Sequence, residues 1–230
     1  DVAFEGEGAR GDALRREWFE LTLAEMFNPD RGLFMSQDGN RTLHPNRNSA
    51  TLAGPNHLAY FTVLGRIAGF ALYHHEHLGI SLSSAFLKAA FGYKITFDDL
   101  QSVDPSLHRS QAKLLEMESK DLEVLCIPFV ADDDDLFIYE AGSPPLKRKR
   151  LTELKEGGEE EMVTSLTLPD FLQRFAHHKL LSSVQEQVNA FRKGLGVFVD
   201  DKLCENLRSC CTIGELQLLL CGAETIDIDE

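Results

Sequence analysis

HLAYFTVLGRIAGFALY, residues 57–73, is apolar nearly all the way round. Leu58, Phe61, Val63, Leu64, Ile67, Ala68, Phe70, Ala71 and Leu72 leave no wide polar stripe, and a helix without such a stripe belongs inside a core. Gly65 and Gly69 stand four apart, one above the other on a helix; lacking a Cβ, they let a neighbour approach closely. A central, glycine-notched helix therefore sets a predominantly α-helical α+β fold, and the rest of the chain is read by how it surrounds that helix.

Upstream, Leu14 to Phe27 repeats its apolar residues at helical spacing until Asn28-Pro29-Asp30 stops it. RGLFMSQDGNRTLHPN (31–46) alternates around Asp38-Gly39, a dipeptide suited to the positive φ of a tight turn, which predicts a short antiparallel pair. Downstream, Ser83 to Phe91 reads as a helix ended by Gly92, and Thr96-Phe97-Asp98-Asp99 as a near capping box. That box opens a short helix, which Asp104-Pro105 terminates. VLCIPFV (124–130) reads as a strand. Asp132–Asp135, Ser143-Pro144-Pro145, Lys147–Arg150 and Lys155-Glu156-Gly157-Gly158 then make 131–161 one or two small strands joined by solvated loops. Leu168–Ala176 and Ser182–Phe191 return to helical spacing. Thr212-Ile213-Gly214-Glu215 is a capping box for a helix through Cys221, with Gly222 just past its end.

The composition is that of a globular protein: 230 residues, 43% hydrophobic and 26% charged. Runs such as IAGFAL (67–72) fall short of the ~18 apolar residues of a membrane span, and no basic-then-apolar leader opens the chain. A net charge of −14 argues against nucleic acid, because neutralising phosphates takes a basic face. Five cysteines, an odd number without a tight framework, point to free thiols in a reducing compartment. The reading is intracellular and cytoplasmic, with the nucleus added if Lys147–Arg150 is an import address.

Three of the thiols fall within LRSCCTIGELQLLLCG (207–222). Cys221 sits in the last turn of its helix, where the dipole disfavours a thiolate, and reads as core. Cys210-Cys211 precedes a helix start, but no histidine lies near in sequence and no CxxC spacing is present, so packing outweighs a nucleophile or a metal. His74 and His77 would share a face if their helix continued, yet HExxH is absent and imidazolium at a helix end accounts for them. Neither a metal nor a cofactor is expected. Lys147–Arg150 is either an import address or phosphate contact, or a solvated loop balancing Asp132–Asp135. No glycine-rich phosphate loop, paired-carboxylate motif or GxSxG appears.

GEGARGDALRREWFELTLAEMFNPDRGLF, HPNRNSA, HLAYFTVLGRIAGFALYHHEHLG, ITFDDLQSVDP, NAFRKGL and ELQLLLCG, in that order, resemble the N-terminal lobe of a HECT ubiquitin-protein ligase, with a likeness to plant-type members. The resemblance spans nearly the whole chain and is weakest over 131–165. It implies a large helical subdomain (1–104 and 184–230) and a small one (105–183) that docks a ubiquitin-conjugating enzyme. It also implies a separate C-lobe carrying the cysteine that accepts ubiquitin as a thioester, for transfer to a substrate lysine. None of Cys126, Cys204, Cys210, Cys211 and Cys221 has that cysteine's Thr-Cys-Phe-like context, so this chain would bind without catalysing. Its partners would be a conjugating enzyme and ubiquitin, with substrates chosen by regions outside it.

The same resemblance puts groove positions at Leu107, Ser110, Gln111, Leu125, Phe171 and Phe175. Phe171 and Phe175, at i and i+4, form one aromatic ridge; the family favours an exposed anchor worth about 1.5–3 kcal/mol per buried ring over rings packed in their own subdomain. Gln111 departs from a commonly apolar position. Arg41 stands where some members carry an aromatic of a second ubiquitin surface, which leaves that surface without its ring.

Overall fold

The structure is a computed structural model that describes residues 12–36, 42–133, 136–138, 146–148 and 151–222. Ten helices and six short strands run among those residues: α1 (Asp12–Met26), β1 (Phe34–Met35), β2 (His44–Pro45), α2 (Ser49–Leu52), α3 (His57–His74), α4 (Ser84–Phe91), α5 (Pro105–Ala112), α6 (Ser119–Val124), β3 (Val130–Asp132), β4 (Leu136–Ile138), β5 (Leu146–Arg148), β6 (Leu151–Glu153), α7 (Leu168–Leu180), α8 (Gln185–Leu195), α9 (Asp201–Cys210) and α10 (Ile213–Cys221). The fold is α+β and predominantly helical, as its sequence implies.

The hydrophobic helix α3 is the centre, though not buried all round as its sequence suggests: Tyr60, Val63 and Tyr73 are exposed. Phe61, Leu64, Ala68 and Ala71 are buried along it, and α8 is the main helix packed on it. A methyl at Gly65 would overlap the Phe191 carbonyl, and one at Gly194 would overlap the Thr62 carbonyl. Each helix therefore carries a notch that admits the other's backbone. Gly69 plays the same part less tightly: a methyl there would lie 3.0 Å from Phe198 Cβ and 3.1 Å from the Leu195 carbonyl. Phe34, Phe61, Phe86 and Phe191 interlock beside this contact through tilted and edge-on ring pairs.

Local signals fold as written. Ser83 caps α4 by accepting from Phe86 N at 3.2 Å, and Gly92 ends it at φ 79°. Thr96 and Asp99 form a capping box for a 3-10 turn, Phe97–Ser102, and Thr212 and Glu215 form another for α10. β1 and β2 pair antiparallel, Phe34 opposite Pro45 and Met35 opposite His44; the expected Asp38-Gly39 turn lies outside the described residues. The chain between β3 and β6 holds two antiparallel pairs, β3 with β6 and β4 with β5, so four strands stand where one or two were expected.

Elsewhere the structure corrects the reading. Asp104-Pro105 starts a helix as well as ending a turn: Asp104 accepts from Leu107 N at 2.8 Å, with Pro105 in the first turn of α5. Val124 closes α6 instead of opening a strand, and extended pairing begins at Pro128; a short apolar run does not by itself separate helix end from strand. Cys210 ends α9, a helix with no counterpart in the sequence reading, and Cys211 is its C-cap. Helix α3 stops at His74 because His75 turns left-handed at φ 56°. His77 is therefore off the His74 face, its Nδ1 lying 3.2 Å from the Leu219 carbonyl. Among the described residues no three His, Cys, Asp or Glu side chains are grouped to hold a metal, and no helix is long and apolar enough to cross a membrane.

Candidate docking surface

The segment 105–183 is organised around a ring cluster under α7. Phe171 and Phe175 pack at 5.9 Å, and Phe129 meets Phe171 edge-on at 5.5 Å. Both α7 rings are buried, at 3% and 6% exposure. The expected exposed ridge is thus overturned: α7 turns its Leu168, Phe171, Leu172, Phe175 face inward, into the core that Leu122, Phe129 and Val163 also enter. Leu107 also packs inward, against the core and beside a small cavity shared with Met35, His44 and Leu180. Ser110 is exposed and Gln111 half-buried. The Gln111 Oε1 atom is buried without a hydrogen-bond partner, a polar cost that an apolar residue would not carry.

Leu125 is different. It is 47% exposed, beside Val124 at 79%. After it, Cys126 at φ 46° swings the chain into an antiparallel bridge between Pro128 and Met162, with Val163 N donating to the Ile127 carbonyl at 2.8 Å. The partner strand leaves the same end of this bridge toward Leu166, 91% exposed, while Met162 itself is exposed. Two apolar arms therefore emerge from one bridge. Nothing in the sequence marked Val124, Met162 or Leu166, since an isolated apolar residue in a loop looks the same whichever way it points. Apolar groups gathered on a surface are a mark of contact sites.

The same segment also holds a charged knot. The Asp133 carboxylate takes Arg47 Nη1 at 2.8 Å, His178 Nε2 at 3.1 Å and the Thr152 hydroxyl at 2.9 Å, with Lys179 Nζ at 3.4 Å. Lys179 also donates to the Asp132 carbonyl. Asp133 is buried, so the acidic run is not wholly a solvated loop. Burial by itself would raise its pKa, but hydrogen bonds from His178 and Thr152 and the charges of His178 and Lys179 outweigh that and hold the carboxyl well below its usual range. The knot ties β3, β6 and α7 to the loop after β2.

Cys126 is exposed within the first arm, while Cys204, Cys210, Cys211 and Cys221 lie outside 105–183. Cys221 and Cys204 are buried, and burial pushes the Cys221 thiol up to about 11 and the Cys204 thiol upward. Cys210 and Cys211 place their sulfurs 3.7 Å apart, and hydrogen bonding with Cys210 raises the Cys211 pKa. Raised thiol pKa values disfavour the thiolate that a nucleophile requires.

The geometry defines an α-rich α+β domain with Val124, Leu125, Met162 and Leu166 exposed on two segments joined by one bridge. Comparison with known proteins sharpens this. Residues 20–230 match the HECT-domain (ubiquitin-transferase) family, and the chain belongs to that family. It is similar to the E3 ubiquitin-protein ligase HACE1 of Xenopus laevis, 31% identical over 229 residues, covering 100% of this chain and 22% of that protein. It is also similar to the E3 ubiquitin-protein ligase UPL2 of Arabidopsis thaliana, 32% identical over 233 residues, covering 100% of this chain and 6% of that one. The chain thus spans less than a quarter of the length of these relatives. Frog and plant proteins match about equally, so the plant-type likeness does not narrow the family.

Proposed function

We propose that the chain is the N-lobe of a HECT ubiquitin-protein ligase that docks a ubiquitin-charged conjugating enzyme. Residues 105–183 would form the small docking subdomain, and 1–104 with 184–230 the large helical one. The observation carrying this reading is the exposed apolar face of Val124, Leu125, Met162 and Leu166, in a chain whose family name is a transferase. Leu125 and Ser110 would touch the partner directly. Leu107 and Gln111 would support the wall, and Phe171 and Phe175 the floor, acting through the shape they give the surface. The cysteine that receives ubiquitin would lie outside the five thiols of this chain, none of which has the family's Thr-Cys-Phe-like context; the raised Cys204, Cys211 and Cys221 pKa values also oppose attack there. Ubiquitin would arrive on the conjugating enzyme, and substrates would be chosen by regions beyond these residues.

A panel of conjugating enzymes titrated against the 230-residue chain tests this. At least one should bind, and Leu166→Ser should weaken it with the melting temperature unchanged. An absence of binding across the panel, or a ubiquitin thioester on any of the five thiols, defeats the proposal.

A further inference from the structure

The apolar arms are bordered by acid. Asp121 and Glu123 precede Val124 on α6, and Glu159, Glu160 and Glu161 precede Met162; all five are exposed. Residues 105–133 and 151–183 together hold twelve acidic and six basic side chains, whereas 42–104 holds four of each. Three of the six cations are already committed. Lys155 pairs with Glu161 at 2.6 Å and lies over the Phe129 ring, Arg174 chelates Asp170 at 2.8 Å, and Lys179 is bound to Asp133. Across 105–183 as a whole, Lys147–Arg150 included, fifteen acidic side chains stand against ten basic ones, so the segment keeps a net negative charge. Charges beside a low-dielectric apolar wall focus their field outward, attract a partner of opposite sign and repel one of the same sign.

Resting on the docking reading above, we propose that this surface selects conjugating enzymes that carry a basic rim around an apolar tip, and that charge steers their capture. The acids supply encounter and choice; the apolar arms hold the complex once formed. Nucleic acid and acidic proteins are turned away by the same field. Because exposed charges are screened within about 8 Å at physiological salt, the effect belongs to the association rate more than to dissociation.

Stopped-flow association of the full chain with labelled conjugating enzymes of basic and of acidic docking faces tests this. For a basic-faced enzyme, the association rate should fall about ten-fold between about 50 and about 300 mM NaCl. The double reversal Glu123→Lys with Glu160→Lys should slow association at low salt and flatten the salt dependence. Glu123→Gln with Glu160→Gln should fall between, guarding against a folding artefact. Dissociation should change little. Binding that ignores both salt and reversal, or that favours the acidic-faced enzyme, overturns this inference and leaves docking standing. No binding by any enzyme at any salt overturns both.

Discussion

The contact between α3 and α8 and the segment 105–183 divide their apolar residues between inside and outside by different means. Along α3 and α8, Phe61, Ala68 and Phe191 are wholly buried, and two glycines let the backbones touch. In 105–183, the α7 rings join the common core and Val124, Leu125, Met162 and Leu166 are left outside. A long helix can press one broad face on a neighbour along its whole length, leaving a narrower stripe, Ala59, Tyr60, Val63, Arg66 and Tyr73, outside. The segment 105–183, with three-residue strands set among α5, α6 and α7, leaves these apolar side chains uncovered.

Gly65→Val should strike hardest, since the added side chain meets the Phe191 backbone, which cannot give way. A loss of about 4 kcal/mol or more, seen as lost cooperative thermal unfolding, is expected; a stable variant would show that the two helices can part. Asp133→Ala should cost about 3–5 kcal/mol in denaturant unfolding, because Arg47, His178 and Lys179 lose their shared anion. The folded Asp133 carboxyl is depressed. Its contribution is therefore present above the unfolded pKa and disappears as pH falls through the folded one, so the variant should lack that most acidic limb.

Phe171→Ala and Leu166→Ser draw the line between floor and face. The first should lose about 3–5 kcal/mol of stability; the second should stay within about 0.5 kcal/mol of the parent while conjugating-enzyme binding drops. If both behave alike, inside and outside have been assigned wrongly. A milder acid effect comes from His44, buried and lowered to about 4, burial being the main cause. Between the unfolded value of 6.5 and about 4, the unfolded chain takes a proton that the folded one refuses. Stability should therefore fall by up to about 3 kcal/mol as pH drops across that window, and His44→Gln should flatten it. The smallest effect belongs to Thr212→Ala, which removes the α10 cap for about 1 kcal/mol.

Much of the helical frame was readable in advance. The caps at Ser83, Thr96 and Thr212 act within three residues of themselves, so a local string suffices, and an i, i+4 glycine pair announces a close neighbour without naming it. The candidate site was read less well. Leu125 was expected at the surface and is exposed, but Phe171 and Phe175 were turned the wrong way, because an amphipathic helix states that it has an apolar face and not what covers that face. Asp133 looked solvated because its partners are distant: Arg47 lies 86 positions away and His178 45.

By itself, the sequence determined the helical frame, the ends of most of its helices, the resemblance to one family and the absence of a cysteine in that family's catalytic context. Only the tertiary structure decided which rings became core, which apolar arms remained outside and which carboxylate was drawn inward. The first set follows from interactions a few residues long, encoded where they act. The second depends on burial, a property of the whole assembly of side chains around a residue, which no stretch of neighbours contains.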